Sequence, residues 1–410
     1  MKINKGDIYL AKGEIKVEIK SGSFELIGAI FKSGEINIPE GKQMPFICKE
    51  AGELVPSNEK FEKLDHNTIP ENWYAIAERI AKENIKRVVI LGEVDTGKSF
   101  FSIFLANRLT AMNKRTGIID SDTGQSDIGA PGTIGFGIFD KHYFALPDVP
   151  VQKQYFIGNH SPGGLFTVFL AGIAKIAAYA EKHTDCFIVN TTGWTHGDGA
   201  RCLKKAKLEI VDPDLAILMQ RDSELEHLTA HMPDEKIVRL SVSRKATPTS
   251  QTVRKELREK ISRRCFAGSR KIALPFSGFK FERVFLGSGK PLETKENEIL
   301  YAEKLPAWEG HVIIFKEDTT PAKAGEIAAS YRARYCRPSY LEKTFVGLAD
   351  ADGFAIAVGS VEKADFLKKE LTVVTDLETG REGEIKFVQM GSLRYSSDGN
   401  EAGFILPSAI

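Results

Sequence analysis

GEVDTGKS at residues 92–99 fits the spacing G-x-x-x-x-G-K-[ST], which suits a loop that holds a polyphosphate. The candidate nucleotide contacts run from Gly92 through Glu93, Val94, Asp95, Thr96, Gly97, Lys98 and Ser99 to Phe100. Glycines leave room for main-chain N–H groups to close round a β-phosphate. The start of the following helix adds partial positive charge at the same point. In such a loop Lys98 reaches the β/γ oxygens and the Ser99 hydroxyl binds Mg²⁺. Further on, DSDTGQSD offers two carboxylates, Asp120 and Asp122, one residue apart. Phosphoryl transfer needs one carboxylate for Mg²⁺ and one to orient or deprotonate an acceptor hydroxyl. The pair can divide these roles, and strand alternation would point both the same way. An acidic turn or helix cap is the plainer reading.

The elements around these residues are what the chemistry requires. VVILG reads as a buried strand and Phe100 to Leu109 as a helix, so the glycine-bounded loop joins strand to helix. From residue 85 to about 270, apolar strands (TGIID, CFIVN, LAILM, IVRLSV) alternate with helices near 163–182 and 199–207. That alternation implies an α/β fold with a mostly parallel sheet and ligands beyond the C-terminal strand ends. Both motifs fall there.

The flanks read differently. In residues 1–68, Ile15, Val17 and Ile19 share one strand face and Phe24 and Leu26 another, between SGS, SGE and PEGK turns, which predicts a β-domain. Pro70 then opens a helix with Trp73, Ile76, Ala77 and Ile80 at helical spacing, Trp73 as a core anchor. Residues 69–271 form the predicted P-loop domain. Residues 272–410 turn β-rich again in FERVFLG, HVIIF, FVGLAD, FAIAVGSV and LTVVTDL, with a hairpin at ADG and one helix near 321–335. Phe345, Phe354 and Tyr395 read as core.

Composition narrows the class. With 410 residues, 42% hydrophobic and 27% charged, the chain has the make-up of a soluble protein, and no apolar run approaches a membrane span. Five scattered cysteines without a CxxC pair argue against a zinc site or disulfide framework, and point to the cytoplasm. Net charge is only +1, yet Lys236 to Lys271 holds twelve Lys/Arg against two Glu. Glu256 and Glu259 leave most of these charges unpaired within the stretch, which fits either a solvated helical face or a phosphate-rich ligand. Arg254 and Arg258 lie four apart and share a helical face, Arg244 precedes that helix, and Thr247-Pro248 marks a stop before it.

GEVDTGKS, DSDTGQSDIGAPGTIG, NHSPGG, NTTGWTHGDG and the basic stretch, in that order, resemble the polynucleotide 5′-hydroxyl kinases, the group that contains Clp1. FVGLADADGFAIAVGSVEKADF and MGSLRYSSDG resemble the archaeal members in particular. The resemblance implies transfer of the γ-phosphoryl of ATP, with Mg²⁺, to the 5′-hydroxyl of RNA, with DNA as a second candidate acceptor. It makes Lys98 and Ser99 the phosphate and magnesium residues, Asp122 the general base and Asp120 its supporting carboxylate. Gln125 belongs to the active-site neighbourhood. The basic stretch becomes a lid whose arginines, Arg244, Arg254 and Arg258, meet the transferring phosphoryl group. Trp194 and the Ser161-Pro162 turn become a clasp on the terminal base, where an aromatic contributes about 1–3 kcal/mol by stacking without selecting sequence. A core aromatic is the other reading of Trp194.

Three rivals remain. A GTPase would show N-K-x-D at a strand end, and neither INKG nor MNKR has the aspartate. A small-molecule kinase needs neither the Trp clasp nor the basic lid. An ATP-binding scaffold within an RNA-processing complex would keep the loop without turnover, against which stand the intact Lys98, Ser99, Asp122 and lid arginines.

Overall fold

A computed structural model of the chain describes residues 1–38, 40–242, 251–306 and 310–407, without the side chains of 251–255 and 257. The chain gathers into two compact units. The first comprises Met1–Ser121, Phe136–Gln152 and Ile173–Pro248, and the second Asp122–Gly135, Lys153–Gly172 and Thr249–Ile410.

The first unit opens with a seven-stranded sheet whose strands fall within residues 2–64. In the strand Ile15–Leu26, Ile15, Val17 and Ile19 are buried while Lys16 and Lys20 face solvent, and Ile15 pairs with Ile38. Alternation of this kind puts one face on a core and the other in water. A buried asparagine ties this sheet to the helix after the phosphate loop. Asn107 donates to the carbonyls of Ile27 and Tyr143, each at 2.9 Å, and accepts from Tyr143 N–H at 3.0 Å. The helix Glu71–Lys82 follows Pro70 and buries Trp73, Ile76, Ala77 and Ile80. Trp73 meets the Phe101 ring at 4.6 Å, as a core anchor should.

Next comes the parallel sheet. Five of its strands lie in the spatial order Thr116–Ser121, Cys186–Thr191, Arg87–Gly92, Leu215–Gln220 and Ile237–Ser241, every pairing parallel. Asp120 pairs with Asn190 and Gly92 with Met219, so the motif-bearing strand ends share one edge. The helices Lys98–Ala111, Phe166–His183 and Asp198–Val211 stand near the expected positions. The strands Thr133–Phe139 and Val151–Phe156, next in the sheet order, had no counterpart in the sequence reading. The first is interrupted by two glycines, and the second carries the polar run Gln152–Gln154 with only its last two residues buried.

In the second unit, a seven-stranded sheet between Arg270 and Phe404 is mostly antiparallel. The hairpin at ADG joins Thr344–Ala349 to Ala355–Asp365. A four-stranded sheet with the helix Pro321–Tyr331 completes the unit. Phe345 and Tyr395 lie in the core and Phe354 is 9% exposed. Two expectations fail. FERVFLG is strand only at its start, in Lys280–Glu282, because Arg283 turns left-handed at φ 70°. The helix near 321–335 stops at Tyr331, where Arg332 adopts φ 50°, and Ala333–Cys336 is a strand. Among the described residues no helix is long and apolar enough to cross a membrane.

Candidate active site

The turn of the phosphate loop is tied in part by its own residues. Gly97 sits at φ 89°, a region that glycine enters without strain, and the helix Lys98–Ala111 starts there without a side-chain cap. Uncapped N–H groups at a helix start are the ordinary means of binding an anion. Within the loop the Thr96 hydroxyl donates to the Glu93 carbonyl at 2.9 Å, and Lys98 Nζ donates to the same carbonyl.

Behind the loop a buried amide joins two motifs. Asn190 Nδ2 donates to Ser99 Oγ at 3.3 Å and to Asp120 Oδ1 at 3.2 Å. Asp120 is 1% exposed, and Asn190 Oδ1 is buried without a partner among the described residues. A hydroxyl, a carboxylate and an amide oxygen are hard donors, the chemistry that Mg²⁺ takes. The residues therefore fit that ion. Sequence reasoning passed over Asn190 as the end of the apolar run CFIVN, although it occupies the same place on its strand as Asp120 does on TGIID.

Glu93 was expected in the loop but its partners were not, and two lysines of the first unit were missed. Glu93 is held by His196 Nε2 on one carboxylate oxygen and by Arg221 Nη1 on the other at 3.3 Å. Lys204 and Lys207 are each 1% exposed. The Lys204 ammonium donates to the Thr192 carbonyl, and Lys207 Nζ donates to the Ser121 hydroxyl at 2.8 Å. Only their three-residue spacing on one helical face marks them in sequence. Trp194, on the loop after Cys186–Thr191, is 37% exposed, which sets aside the core reading.

Asp122 corrects the expectation that both carboxylates follow strand alternation. The strand ends at Ser121, so Asp122 opens a turn instead. Its Oδ1 accepts from Gly124 N–H and its carbonyl from Gln125 N–H, both at 3.1 Å. This turn, with Gln125, belongs to the second unit. So does the Ser161-Pro162 turn, in which the Ser161 hydroxyl accepts from Gly163 N–H at 3.2 Å. The helix Gln251–Phe266 carries Arg258, whose Nε is buried with no partner among the described residues. Arg244 and Thr247-Pro248, and the side chain of Arg254, lie outside the described residues.

The basic stretch is less unpaired than its sequence implies. Arg239 holds both Glu226 oxygens at 2.8 Å, and Arg270 and Lys271 meet Glu382 and Glu362. These partners are distant in sequence, which is why counting local charges overstated the free positive charge. His160 lies in the second unit beside this helix. Burial, and then the Arg258 charge, lowers its pKa to about 4.

Strand, glycine loop and uncapped helix on a parallel sheet, with Lys98, Ser99 and Asp120 at one edge, define a P-loop nucleotide-binding protein. Residues 92–268 match the family described as the mRNA cleavage and polyadenylation factor CLP1 P-loop. The chain is 32% identical over 349 residues to a polyribonucleotide 5′-hydroxyl-kinase of Pyrococcus horikoshii, covering 83% of this chain and 94% of that one. It is 29% identical over 333 residues to one from Methanocaldococcus jannaschii, covering 78% and 90%. A chain in the solved complex of Clp1p with Pcf11p superposes with a TM-score of 0.64 at 16% identity, over 96% of this chain and 97% of that one, which shows the shared fold. The chain belongs to the polyribonucleotide 5′-hydroxyl-kinase family.

Proposed function

We propose that this P-loop kinase transfers the γ-phosphoryl group of ATP to the 5′-hydroxyl of RNA, with DNA as a second acceptor. The observation that carries the reading is the convergence of Ser99 and Asp120 on Asn190 behind the loop, in a chain this similar to proteins named for that activity. The loop from Gly92 to Phe100 holds the ATP phosphates, through main-chain N–H groups and Lys98. Ser99 and Asp120 hold Mg²⁺, with Asp122 close in sequence as a further carboxylate. Bound there, the ion neutralises charge on the β- and γ-phosphates.

Asp122 takes the proton of the 5′-hydroxyl as its oxygen bonds to the γ-phosphorus. The bond from that phosphorus to the β–γ bridging oxygen breaks, and ADP leaves. Arg258, with Arg254 and Arg244, meets the charge on the equatorial oxygens. Trp194 and the Ser161-Pro162 turn hold the terminal base, and Gln125 borders the acceptor. The exposure of Trp194 supports a stacking role.

We further propose three modules, 1–68, 69–271 and 272–410. Support comes from the flanking sheets, whose strands lie within 2–64 and 270–404. A cytoplasmic setting is proposed on the five free cysteines, three of them buried.

The test is transfer of labelled γ-phosphate to single-stranded 5′-hydroxyl RNA, beside matched DNA and a 5′-phosphorylated control. Label should appear on the 5′-hydroxyl RNA and fall about a thousandfold in Lys98→Ala and in Asp122→Asn, the scale of losing a main transition-state contact. Unlabelled RNA, with ATP still bound through Lys98, would overturn the kinase reading in favour of an ATP-binding scaffold. The solved complex of Clp1p with Pcf11p lends that second reading its support.

A further inference from the structure

The second unit contains a buried chain of hydrogen bonds that none of these roles uses. Ser262, on the lid helix Gln251–Phe266 and 1% exposed, donates from its hydroxyl to Tyr395 Oη at 3.3 Å. A tyrosine hydroxyl has one proton, so while accepting from Ser262 it donates to His160 Nε2, 2.8 Å away. His160 then carries its own proton on Nδ1 and stays neutral, as its lowered pKa requires. The His160 carbonyl accepts from the Thr123 hydroxyl at 3.3 Å.

Three of its four members adjoin a residue assigned above. Thr123 follows Asp122, His160 precedes Ser161, and Ser262 lies one helical turn beyond Arg258. Packing holds the chain of bonds in place. The Tyr395 ring meets Phe345 at 4.9 Å and Phe266, the last residue of the lid helix, at 5.8 Å. The Gly158 carbonyl accepts from Ser392 N–H at 2.9 Å, and Arg283 donates to the carbonyls of Phe156 and Ile157. The strand Phe387–Tyr395 and Arg283 thus grip the segment leading into His160 from two directions.

We propose, on the kinase reading above, that Tyr395 and His160 are positioning residues for phosphoryl transfer: they fix the lid helix against the Asp122 turn and so set where Arg258 stands. Buried Arg258 Nε, unpartnered among the described residues, is the group whose placement they control. The C-terminal sheet thereby takes part in turnover without touching ATP or RNA.

The test uses the full chain with ATP and 5′-hydroxyl RNA at saturation. Tyr395→Phe removes one hydroxyl and keeps the ring in the core. It should lower kcat about tenfold, the worth of one well-placed buried hydrogen bond, and leave the KM for ATP unchanged within about twofold. Added to Arg258→Ala, it should cost less than about a further twofold, because both changes act through one group. His160→Gln, which keeps an acceptor, should retain more activity than His160→Leu. An unchanged kcat in Tyr395→Phe, or a full tenfold loss repeated in the Arg258→Ala background, overturns the proposal.

Amide hydrogen exchange across residues 251–266 supplies a readout independent of catalysis. Faster exchange confined to that helix in Tyr395→Phe supports the positioning role, and unchanged exchange overturns it. A wild-type chain that transfers no phosphate defeats the kinase reading alone, and exchange still decides whether Tyr395 fixes the helix. Should Tyr395→Phe fail to fold, Ser262→Ala breaks the same chain and carries the same comparison.

Discussion

In the phosphate loop, Thr96 and Lys98 both turn back to the carbonyl of Glu93, three and five residues away. In the lid helix, Ser262 and Arg263 reach Tyr395 and Asn400, 133 and 137 residues away. The loop's main-chain turn is tied by close neighbours, although the Glu93 carboxylate is held from afar by His196 and Arg221. The helix takes its place from a sheet far along the chain. On the roles proposed above, phosphate binding and phosphoryl transfer answer to different parts of the chain, and variants can separate them.

The largest effect expected is on stability. His160 is a base whose folded pKa, about 4, lies below its ordinary value of 6.5. As pH falls through 6.5 the unfolded chain takes up this proton first, so the contribution is whole above 6.5 and is lost between 6.5 and 4. At ~1.4 kcal/mol per pKa unit the loss is about 3 kcal/mol. Arg258 opposes protonation and Glu401, 3.9 Å from Nε2, favours it. Denaturant melts of wild type and His160→Gln across that range should differ by this slope. Parallel curves would remove the second unit's pH sensitivity from the comparison.

Arg258→Ala should reduce kcat about a hundredfold, the scale of losing one charge-stabilising contact, with ATP affinity unchanged by calorimetry. Equal losses in both would break the separation of loop from lid. Trp194→Ala should raise the KM for RNA about tenfold through lost stacking and leave the KM for ATP alone. An unchanged RNA KM would remove Trp194 from the acceptor site. Smallest of all, Arg239→Ala should leave transfer unchanged and barely move a thermal melt, because its ion pairs are exposed. A loss of transfer there would mean that the basic stretch acts as one field, with no particular arginine singled out.

What could be read from the sequence follows the same divide. GEVDTGKS, its strand and its helix are contiguous, and their local pattern carries their geometry. The parallel strands announced themselves as apolar runs, and Trp73 as a helical anchor. Asn190 escaped because a polar residue closing an apolar strand acquires meaning only from its register with Asp120. His196 and Arg221 meet Glu93 from 103 and 128 positions away, a distance no motif spans. Tyr395 looked like core, and by burial it is. Its hydroxyl, the part that reaches His160, gave no signal in a string of letters.

Gly158 and Gly391 lie so close that a methyl group on Gly158 would stand 2.5 Å from the Gly391 Cα, and one on Gly391 would stand 3.0 Å from the Gly158 Cα. Gly158 also sits at φ 79°, where any other residue is strained. Exchange of the C-terminal region between relatives, as a builder of chimaeras would attempt it, must therefore carry two bare backbones in register. A graft that supplies a well-folded sheet with a single alanine at position 391 would splay this junction apart. The C-terminal sheet is in that sense a fitted part and not an interchangeable cassette.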